Sequence, residues 1–393
     1  MDKIHLWPED IIYLGDGATK GFILEEPSGQ RHALWYRFPS EFSSKITEWC
    51  DPFVVGALFN AMSIPADLVV HGNVSPSLIF NLREFQDAWS SWHPELYSQV
   101  DIIPEASKER TQPDTQDAVM TFSMGVDGCF TAWRYNKPDH ERIPYALRAG
   151  ILVHGFDFPP QYEETFDRAI KRARIILDSV GMTLIPMTTN LRTINHPTES
   201  RHGAFLISCL ILLQEGYRAG LIGSSYPYAT MQLQWGSNPL TDRMLSSKFF
   251  PIIHDGAGFN RIQKVAYVSD WPEALQNLRV CIRREADQRD KNCCRCEKCI
   301  RTILELRALG IQIPPSFEQD VTNQQILRMR ISEDVLRSKF YDEILEVTKS
   351  RKASNRWTNT LRLSLILNKL IIQVKKLPIT DRFRRRTSRR QRE

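Results

Sequence analysis

The amino-acid sequence predicts an α/β protein whose central part contains a parallel sheet. From residue 118 onward, short apolar runs alternate with stretches of helical periodicity, a pattern typical of βαβ units. The first of these runs breaks into a loop with two glycines and continues as a helix. Four cysteines also crowd into residues 293–299, which indicates a metal site at the end of this region rather than a disulfide framework.

The first 115 residues are predicted to form an accessory α+β domain. Residues 20–38 contain two β-rich runs around the turn sequence PSGQ, which predicts a hairpin. A short strand is expected at DLVVHG, followed by a helix with Ser75 as its N-cap and Pro76 at its first position. The polar stretch 104–117 has two prolines and no periodicity, so it predicts a linker.

Residues 116–312 are predicted to form the parallel-sheet domain. Apolar and β-branched runs predict four strands, at 118–122, 150–156, 182–189 and 220–225. Helical periodicity and terminal glycines predict helices between them, at 127–135, 162–180 and 202–216, with another helix after the cysteines that ends at Gly310. Ligands of such sheets bind at the carboxyl ends of the strands.

Residues 313–393 are predicted to form a helical extension with a basic tail. Lys375 to Glu393 contains nine Lys or Arg and two acidic residues, so the rest of the chain has a net charge of −2 within an overall +5. This distribution argues against the whole protein being a nucleic-acid binder. Three interpretations of the tail stay open: contact with an anionic membrane surface, contact with nucleic acid through phosphates, and a packed helix followed by a solvated end.

The sequence also bears on location. No apolar run reaches the roughly 20 residues that span a bilayer. The N-terminus, MDKIHLWPED, carries acids and a proline where a signal peptide has an apolar core. We therefore expect a cytoplasmic protein.

The loop in FSMGVDG, residues 122–128, has the features of an anion site. A strand that turns sharply into a helix directs several backbone N–H groups at one point. A pyrophosphate site needs such donors, together with a hydroxyl and a carboxylate that holds Mg²⁺. Ser123 supplies the hydroxyl, Gly125 permits close backbone approach, and Asp127 supplies the carboxylate. A turn that binds no ligand is the alternative.

This loop resembles that of the PP-loop ATP pyrophosphatases, which are HUP-type, Rossmann-like α/β proteins with the signature S-G-G-x-D-S. Ser123, Gly125 and Asp127 match the signature, whereas Met124 and Gly128 replace its first glycine and last serine. If position 124 needs a positive φ or leaves room for phosphate, a methionine there costs strain or blocks the site. The resemblance implies catalytic roles for Ser123 and Asp127 and a contact with ATP or its pyrophosphate along the whole loop, which comprises Ser123, Met124, Gly125, Val126, Asp127 and Gly128.

The cysteine cluster has the spacing of a metal site. Cys293, Cys296 and Cys299 follow the pattern C-x2-C-x2-C, and Cys281 lies upstream. Four thiolates close a tetrahedral site of the kind that usually holds structural Zn²⁺, and we expect Cys294 to lie outside it. An iron–sulfur cluster and metal-free redox thiols are the alternatives, although ferredoxin-like runs have a cysteine followed by proline that this chain lacks.

Together the two motifs resemble the 7-cyano-7-deazaguanine synthases, PP-loop enzymes with a four-cysteine zinc site after the nucleotide domain. The resemblance covers residues 118–310, about half of the chain. It implies an ATP-dependent ligase that activates a carboxylate as an acyl-adenylate, releases pyrophosphate, and passes the acyl group to a nitrogen nucleophile with release of AMP. Its ligands would be ATP with Mg²⁺, an unidentified carboxylate on a small molecule or a protein, and Zn²⁺. A homodimer is a further expectation.

Two polar loops, 236–242 and 254–264, are candidates to face the second substrate or the phosphates. Asp242, Arg261 and Lys264 are the residues we single out in them, with solvated loop residues as the alternative. We expect His154 and His202 to be structural.

Two other functions stay open. The first is a catalytically inactive, zinc-stabilised binding protein, which Met124 and Gly128 favour. The second is a tRNA-modifying, thiolating PP-loop enzyme, against which the near-neutral body of the chain counts. Nucleotide binding separates the inactive protein from both enzymes.

Overall fold

The computed structural model describes residues 2–137, 144–194, 198–281, 285–337, 339–352 and 356–375. The chain forms two compact units, Met1–Lys291 and Asn292–Glu393. The boundaries expected near residues 115 and 312 separate domains that would fold independently. Independent folding is not tested by this division, so these boundaries stay predictions. The basic tail from residue 376 onward lies outside the described residues.

Within its described part, the first unit contains one mixed, mostly parallel sheet of eleven strands. The order across it is β11-β10-β7-β8-β9-β4-β3-β1-β5-β6, and β2 pairs with β3. The strands are β1 Lys3–Pro8, β2 Ile12–Leu14, β3 Gly17–Glu25, β4 Arg31–Pro39, β5 Asp67–Asn73, β6 Ile102–Ala106, β7 Asp117–Thr121, β8 Ala146–His154, β9 Thr183–Thr189, β10 Ala219–Gly223 and β11 Ile252–Asp255.

The five strands β7 to β11 form the parallel part of the sheet. The sequence predicted four of them, and these are confirmed. It did not predict β11, which has only four residues and includes a histidine and an aspartate. Since β7 lies between β8 and β10, the order of the crossovers reverses at β7, and ligands of open α/β sheets bind in the crevice at such a reversal.

The strands of the first 115 residues extend the same sheet. The predicted hairpin is confirmed as β3 and β4, and β4 pairs antiparallel with β9 through Tyr36–Thr189 and Arg37–Thr188. The expected linker is only partly irregular: it begins within β6, and its Arg110 is buried and donates a hydrogen bond to the carbonyl of Gln214. The segment is therefore fixed to the body of this unit.

Helices cover both faces of the parallel strands. A Cβ added to Gly150 of β8 would meet Leu177, whereas one added to Gly220 of β10 would meet Leu210. These leucines belong to α4 and α5, which therefore lie on opposite faces, and α5 also contacts α1. The helices are α1 Asp51–Ser63, α2 Pro76–Trp92, α3 Val126–Asn136, α4 Glu163–Asp178, α5 Thr198–Ile211, α6 Arg261–Ser269 and α7 Pro272–Asn277.

The second unit is helical in its described residues. The helix predicted to end at Gly310 is confirmed, since α8 ends at Ala308 and Gly310 has a φ of 71°. The last helix contacts α9, and its Asn368 accepts a hydrogen bond from the amide of Ile331. The helices are α8 Glu297–Ala308, α9 Asn323–Arg328, α10 Glu333–Arg337, α11 Phe340–Ser350 and α12 Arg356–Lys375. Within the described residues, none of the helices has the length and apolar character that crossing a membrane requires.

Candidate nucleotide-binding loop and metal centre

The loop after β7 turns sharply into α3, which begins at Val126. Met124, within the turn, has a φ of 61°. This left-handed conformation costs an L-residue about 1–2 kcal/mol, so position 124 adopts a backbone that suits glycine best. The Met124 side chain is fully buried, and its carbonyl accepts a hydrogen bond from the amide of Arg279 at 2.9 Å. The methionine therefore packs inside the protein and does not project from the loop into solvent.

Gly128, the second departure from the signature, lies in the first turn of α3. A Cβ at this position would lie 3.6 Å from the ring of Phe122 and 3.7 Å from the carbonyl oxygen of Thr121. Both are ordinary van der Waals distances, so the site has room for the hydroxymethyl group of a serine. No steric conflict explains the glycine.

Gly223, at the end of β10, brings that strand close to the loop. A Cβ added there would lie 3.0 Å from the backbone of Asp127, closer than side chains normally approach. The sequence contained this glycine in a predicted strand, but only the structure shows which backbone it faces. The close approach places the ends of β7 and β10 side by side, where the crossovers reverse.

Asp127 lies between two cations of α6. One carboxylate oxygen is 3.1 Å from Nη1 of Arg261, and the other is 3.2 Å from Nζ of Lys264. Lys264 also donates a hydrogen bond to the carbonyl of Ser224, the residue that follows β10. Two of the three residues predicted to face substrate or phosphates thus lie at the loop itself.

The first turn of α6 fixes these cations in place. Asn260 caps the helix by accepting from the amide of Gln263, whose side chain accepts from the amide of Asn260. Lys264 is almost fully buried, and this burial lowers its pKa although Asp127 opposes the shift. A charged side chain is costly to bury without a partner. The ion pair with Asp127 therefore stabilises Lys264 in its buried position.

The local charge favours an anion. Asp127 compensates one of the two positive charges, which leaves a net charge of +1 beside the N-terminus of the eleven-residue α3. Nearby, Asp255 is itself paired with Arg134 at 3.0 Å and bonded by Thr131. Positive charge and the N-terminus of a helix together attract phosphate groups.

Metal binding by Asp127 has a cost in this arrangement. Each carboxylate oxygen contacts a cation, so Mg²⁺ coordination through Asp127 requires at least one of these ion pairs to open. The arrangement as it stands fits a phosphate better than a bare divalent cation.

Arg279 links the loop to the chain segment that enters the cysteine cluster. Its amide bonds to Met124, its guanidinium lies 3.3 Å from the carboxylate of Asp157, and it covers the ring of Phe158 at 4.2 Å. Cys281 lies two residues further on. Arg279 was not predicted from the sequence, because nothing in its own segment pairs it with a loop some 155 residues earlier.

Asp242, the third predicted substrate residue, does not contact the loop but forms a buried pair with His254. Its Oδ2 is 2.7 Å from Nδ1 of His254 and also accepts a hydrogen bond from Ser237. Both side chains of the pair are 1% exposed. Among the described residues, Nε2 of His254 has no hydrogen-bond partner.

His254 occupies the carboxyl end of β11, at the edge of the sheet that carries the loop. Neighbouring strand residues point to opposite faces, so His254 faces away from Asp255, which bonds to α3. It lies opposite Ile222 of β10, and β10 in turn pairs with β7. Two strand spacings therefore separate its backbone from β7, about 10 Å.

The two histidines expected to be structural have different surroundings. His154 bonds through Nε2 to the carbonyl of Pro159 at 2.8 Å and stacks on Phe166. Burial lowers its pKa, so it is a neutral, satisfied side chain. His202 lies against the ring of Trp235, with 5.1 Å between the centroids.

The four predicted metal ligands come together. The sulfur atoms of Cys281, Cys293, Cys296 and Cys299 all lie within 4.8 Å of one another. Those of Cys293 and Cys299 are 3.9 Å apart, close to the separation of about 3.8 Å that a tetrahedral zinc site with Zn–S bonds near 2.3 Å requires. The amide of Cys296 donates to the sulfur of Cys293, 3.3 Å away.

Cys294 lies between two of these residues and has a φ of 53°. Its thiol is buried and points at the carbonyl of Asn292, 3.9 Å away. It is not a member of the four-sulfur group. The four sulfur atoms could hold a metal ion, and a donor set of four cysteines is compatible with a structural zinc.

No protein-family model, no curated protein and no solved structure matches the chain.

Proposed function

We propose that this protein is an ATP-dependent ligase of the PP-loop type, similar to the 7-cyano-7-deazaguanine synthases. In the reaction, a carboxylate oxygen attacks the α-phosphorus of ATP, and the bond to pyrophosphate breaks. A nitrogen nucleophile then attacks the acyl carbon of the adenylate, AMP leaves, and the nitrogen loses a proton. The carboxylate substrate, on a small molecule or a protein, is not specified by the site.

The observation that carries the proposal is the cation pair at the crossover reversal. Arg261 and Lys264 meet at Asp127 in the first turn of α3. They stand where the pyrophosphate of ATP would accept hydrogen bonds from them and from the amides of residues 123–128. In this proposal Asp127 holds the two cations in position, and Ser123 supplies a hydroxyl.

His254 is our candidate for the proton acceptor in the second step. A histidine held through Nδ1 by a carboxylate presents Nε2 as a base with a fixed orientation. Here Asp242 holds His254, and Nε2 is buried without a partner among the described residues. A buried polar atom of this kind costs stability unless a ligand or water satisfies it, which is consistent with a role in binding the nucleophile.

The zinc site would have a structural role. Cys281, Cys293, Cys296 and Cys299 would hold the ion, and a closed four-thiolate site offers no open position for substrate. Arg279 lies two residues before Cys281, and its amide donates a hydrogen bond to the carbonyl of Met124 in the loop. An ion held by Cys281 would therefore also restrain the loop. All eight cysteines lie in the described part of the chain without a disulfide, which supports a cytoplasmic location.

Calorimetric titration of ATP, with and without Mg²⁺, into the zinc-loaded protein tests the proposal. We expect micromolar binding, and we expect Arg261→Gln and Lys264→Met to weaken it at least tenfold, since each removes a charge-assisted hydrogen bond to phosphate. Arg31→Gln, which changes an arginine with an exposed side chain, is the matched control. Absence of ATP binding by the unaltered protein would overturn the proposal.

Asp127→Asn separates the two roles of this carboxylate. If Asp127 only positions Arg261 and Lys264, the variant loses affinity for ATP by the same factor with and without Mg²⁺. If it holds the metal, the variant loses only the part of the affinity that depends on Mg²⁺. Release of AMP and pyrophosphate with a panel of carboxylates then tests the reaction itself.

A catalytically inactive binding protein is the second candidate. The occupied carboxylate of Asp127 and the strained Met124 favour it. It predicts that neither ATP nor Mg·ATP binds, so the same titration decides between the two candidates.

A further inference from the structure

The last helix, α12, has apolar residues on two opposite faces. One face is buried in the second unit through Trp357, Leu361 and Leu365. The other face is exposed and carries five large aliphatic side chains: Leu363 (49% exposed), Ile366 (56%), Leu367 (38%), Leu370 (51%) and Val374 (55%). Single exposed apolar residues are ordinary on protein surfaces, but a group of five on one face of a 20-residue helix is not.

The five residues form one continuous stripe. Counted from Leu363, they follow at intervals of three, four, seven and eleven residues. At 3.6 residues per turn these positions fall within about 100° of the helix circumference. The stripe lies opposite the buried face, so α12 does not need it for packing in its own unit.

The charges around the stripe have one sign. α12 contains no Asp or Glu, and Arg356, Arg362 and Lys369 are exposed on it. The sequence from Lys375 onward adds a net charge of +7. An apolar stripe flanked by cations, without acids, is typical of a helix that lies in the interface of an anionic membrane.

We propose that α12 docks on an anionic lipid surface, with the stripe among the upper acyl chains and the cations at the headgroups. Lysine and arginine stems are long enough to keep their charges in the headgroup layer while the stripe is inserted. A second copy of the helix would bring like charges together, and nucleic acid would not cover the aliphatic stripe. Lipid docking of α12 does not depend on the proposed ligase activity.

Vesicle flotation with the full chain tests it. The lipids are phosphatidylcholine alone and a 7:3 mixture of phosphatidylcholine with phosphatidylserine, at low and high salt. We expect binding to the anionic vesicles only, weakened by salt because the attraction is screened. The double variant Ile366→Gln/Leu370→Gln should bind at least tenfold more weakly.

Phe80→Gln/Ile175→Gln is the matched control, since it removes two apolar side chains of similar exposure from other helices. It should bind vesicles as the unaltered protein does. Circular dichroism confirms that both double variants are folded. Equal binding of the α12 variant and the control overturns the proposal, because the tail charges then suffice.

Two other results also overturn it. One is absence of vesicle binding by the unaltered protein. The other is a dimer that dissociates in the α12 variant while no lipid binds, which identifies a second copy as the occupant of the stripe.

Discussion

Met124 combines a strained backbone conformation with a well-buried side chain. Its φ of 61° costs about 1–2 kcal/mol. Truncation of a buried methionine costs about 2–5 kcal/mol. The burial therefore outweighs the strain, which gives a physical reason why a methionine is tolerated at a position that suits glycine.

Met124→Gly should accordingly destabilise the protein by about 1–3 kcal/mol in a urea titration, since the lost burial exceeds the relieved strain. Met124→Leu keeps the volume and the strain, and it should change the free energy of unfolding by less than about 1.5 kcal/mol. A glycine variant more stable than the unaltered protein would contradict this account.

Gly128→Ser should restore the missing hydroxyl of the loop without a stability cost. The site has room for the side chain, and serine is the better residue inside a helix by about 0.5 kcal/mol. We expect a melting temperature equal to or slightly above that of the unaltered protein. A clear decrease would show that the space beside Phe122 does not accommodate the hydroxyl.

Cys293 and Cys294 are neighbours with different surroundings, and the difference is measurable. Cys293→Ser should abolish zinc retention and lower the melting temperature, because one of four thiolates is lost. Cys294→Ser should keep one zinc per chain, as determined by atomic emission. Retention of zinc by the Cys293 variant would contradict the assigned ligand set.

The sequence predicted some of these residues and missed others for a physical reason. The predicted metal ligands have a recognisable spacing, because three cysteines at C-x2-C-x2-C intervals lie close enough in the chain to meet at one ion. These three are Cys293, Cys296 and Cys299, and Cys281 lies upstream of them. His254 was passed over because a buried carboxylate–histidine pair has no fixed spacing in the sequence. Its partner, Asp242, was singled out as a residue that could face substrate or phosphates, but nothing in the sequence paired it with a histidine.

At the scale of elements, one buried carboxylate joins the starts of two helices. Asp51 opens α1, and it accepts hydrogen bonds from the amide and the hydroxyl of Ser75, at 2.8 and 2.7 Å. Ser75 is the residue before α2, as predicted, but its hydroxyl bonds to Asp51 and caps no amide of its own helix. Burial raises the pKa of Asp51 to about 6, against the opposing effect of these hydrogen bonds.

The raised pKa predicts a dependence of stability on pH. Between about pH 4 and pH 6 the folded protein binds the proton of Asp51 more tightly than the unfolded chain does, so stability falls as the pH rises through this window. The contribution of Asp51 is at most about 3 kcal/mol. Asp51→Asn should flatten this part of the profile in denaturation experiments at pH 4 and pH 7. An unchanged profile would show that Asp51 does not titrate in this range.

The elements differ in how far local sequence determines them. Runs such as AVMTF and the hairpin around PSGQ carry their own signals, so these strands were predicted. β11 was missed because four residues, two of them polar, give no periodicity. What makes it a strand is its parallel pairing with β10, a contact supplied by the fold.

For the first unit as a whole, the continuous sheet predicts one cooperative unfolding transition. The pairing of β4 with β9 and the contact of α1 with α5 join the two halves of this unit. In hydrogen exchange under increasing urea, β3 and β8 should lose protection at the same concentration. If β3 opens at a lower concentration, residues 1–115 are a separate folding domain, as the composition of the sequence suggested. The pairing of β4 with β9 could not be predicted from local patterns, because it joins residues far apart in the chain.

The contacts of β4 with β9 and of α1 with α5 also matter while the chain is being synthesised. Trp35, in β4, bonds to Asn190, 155 positions later, and twelve of the thirteen residues of α1 are buried, partly against α5. At ribosomal rates of 5–20 residues per second, the partners of β4 and α1 emerge roughly 10–30 s after them. During that interval the nascent protein presents an open strand edge and an apolar helix, which are the surfaces that chaperones bind.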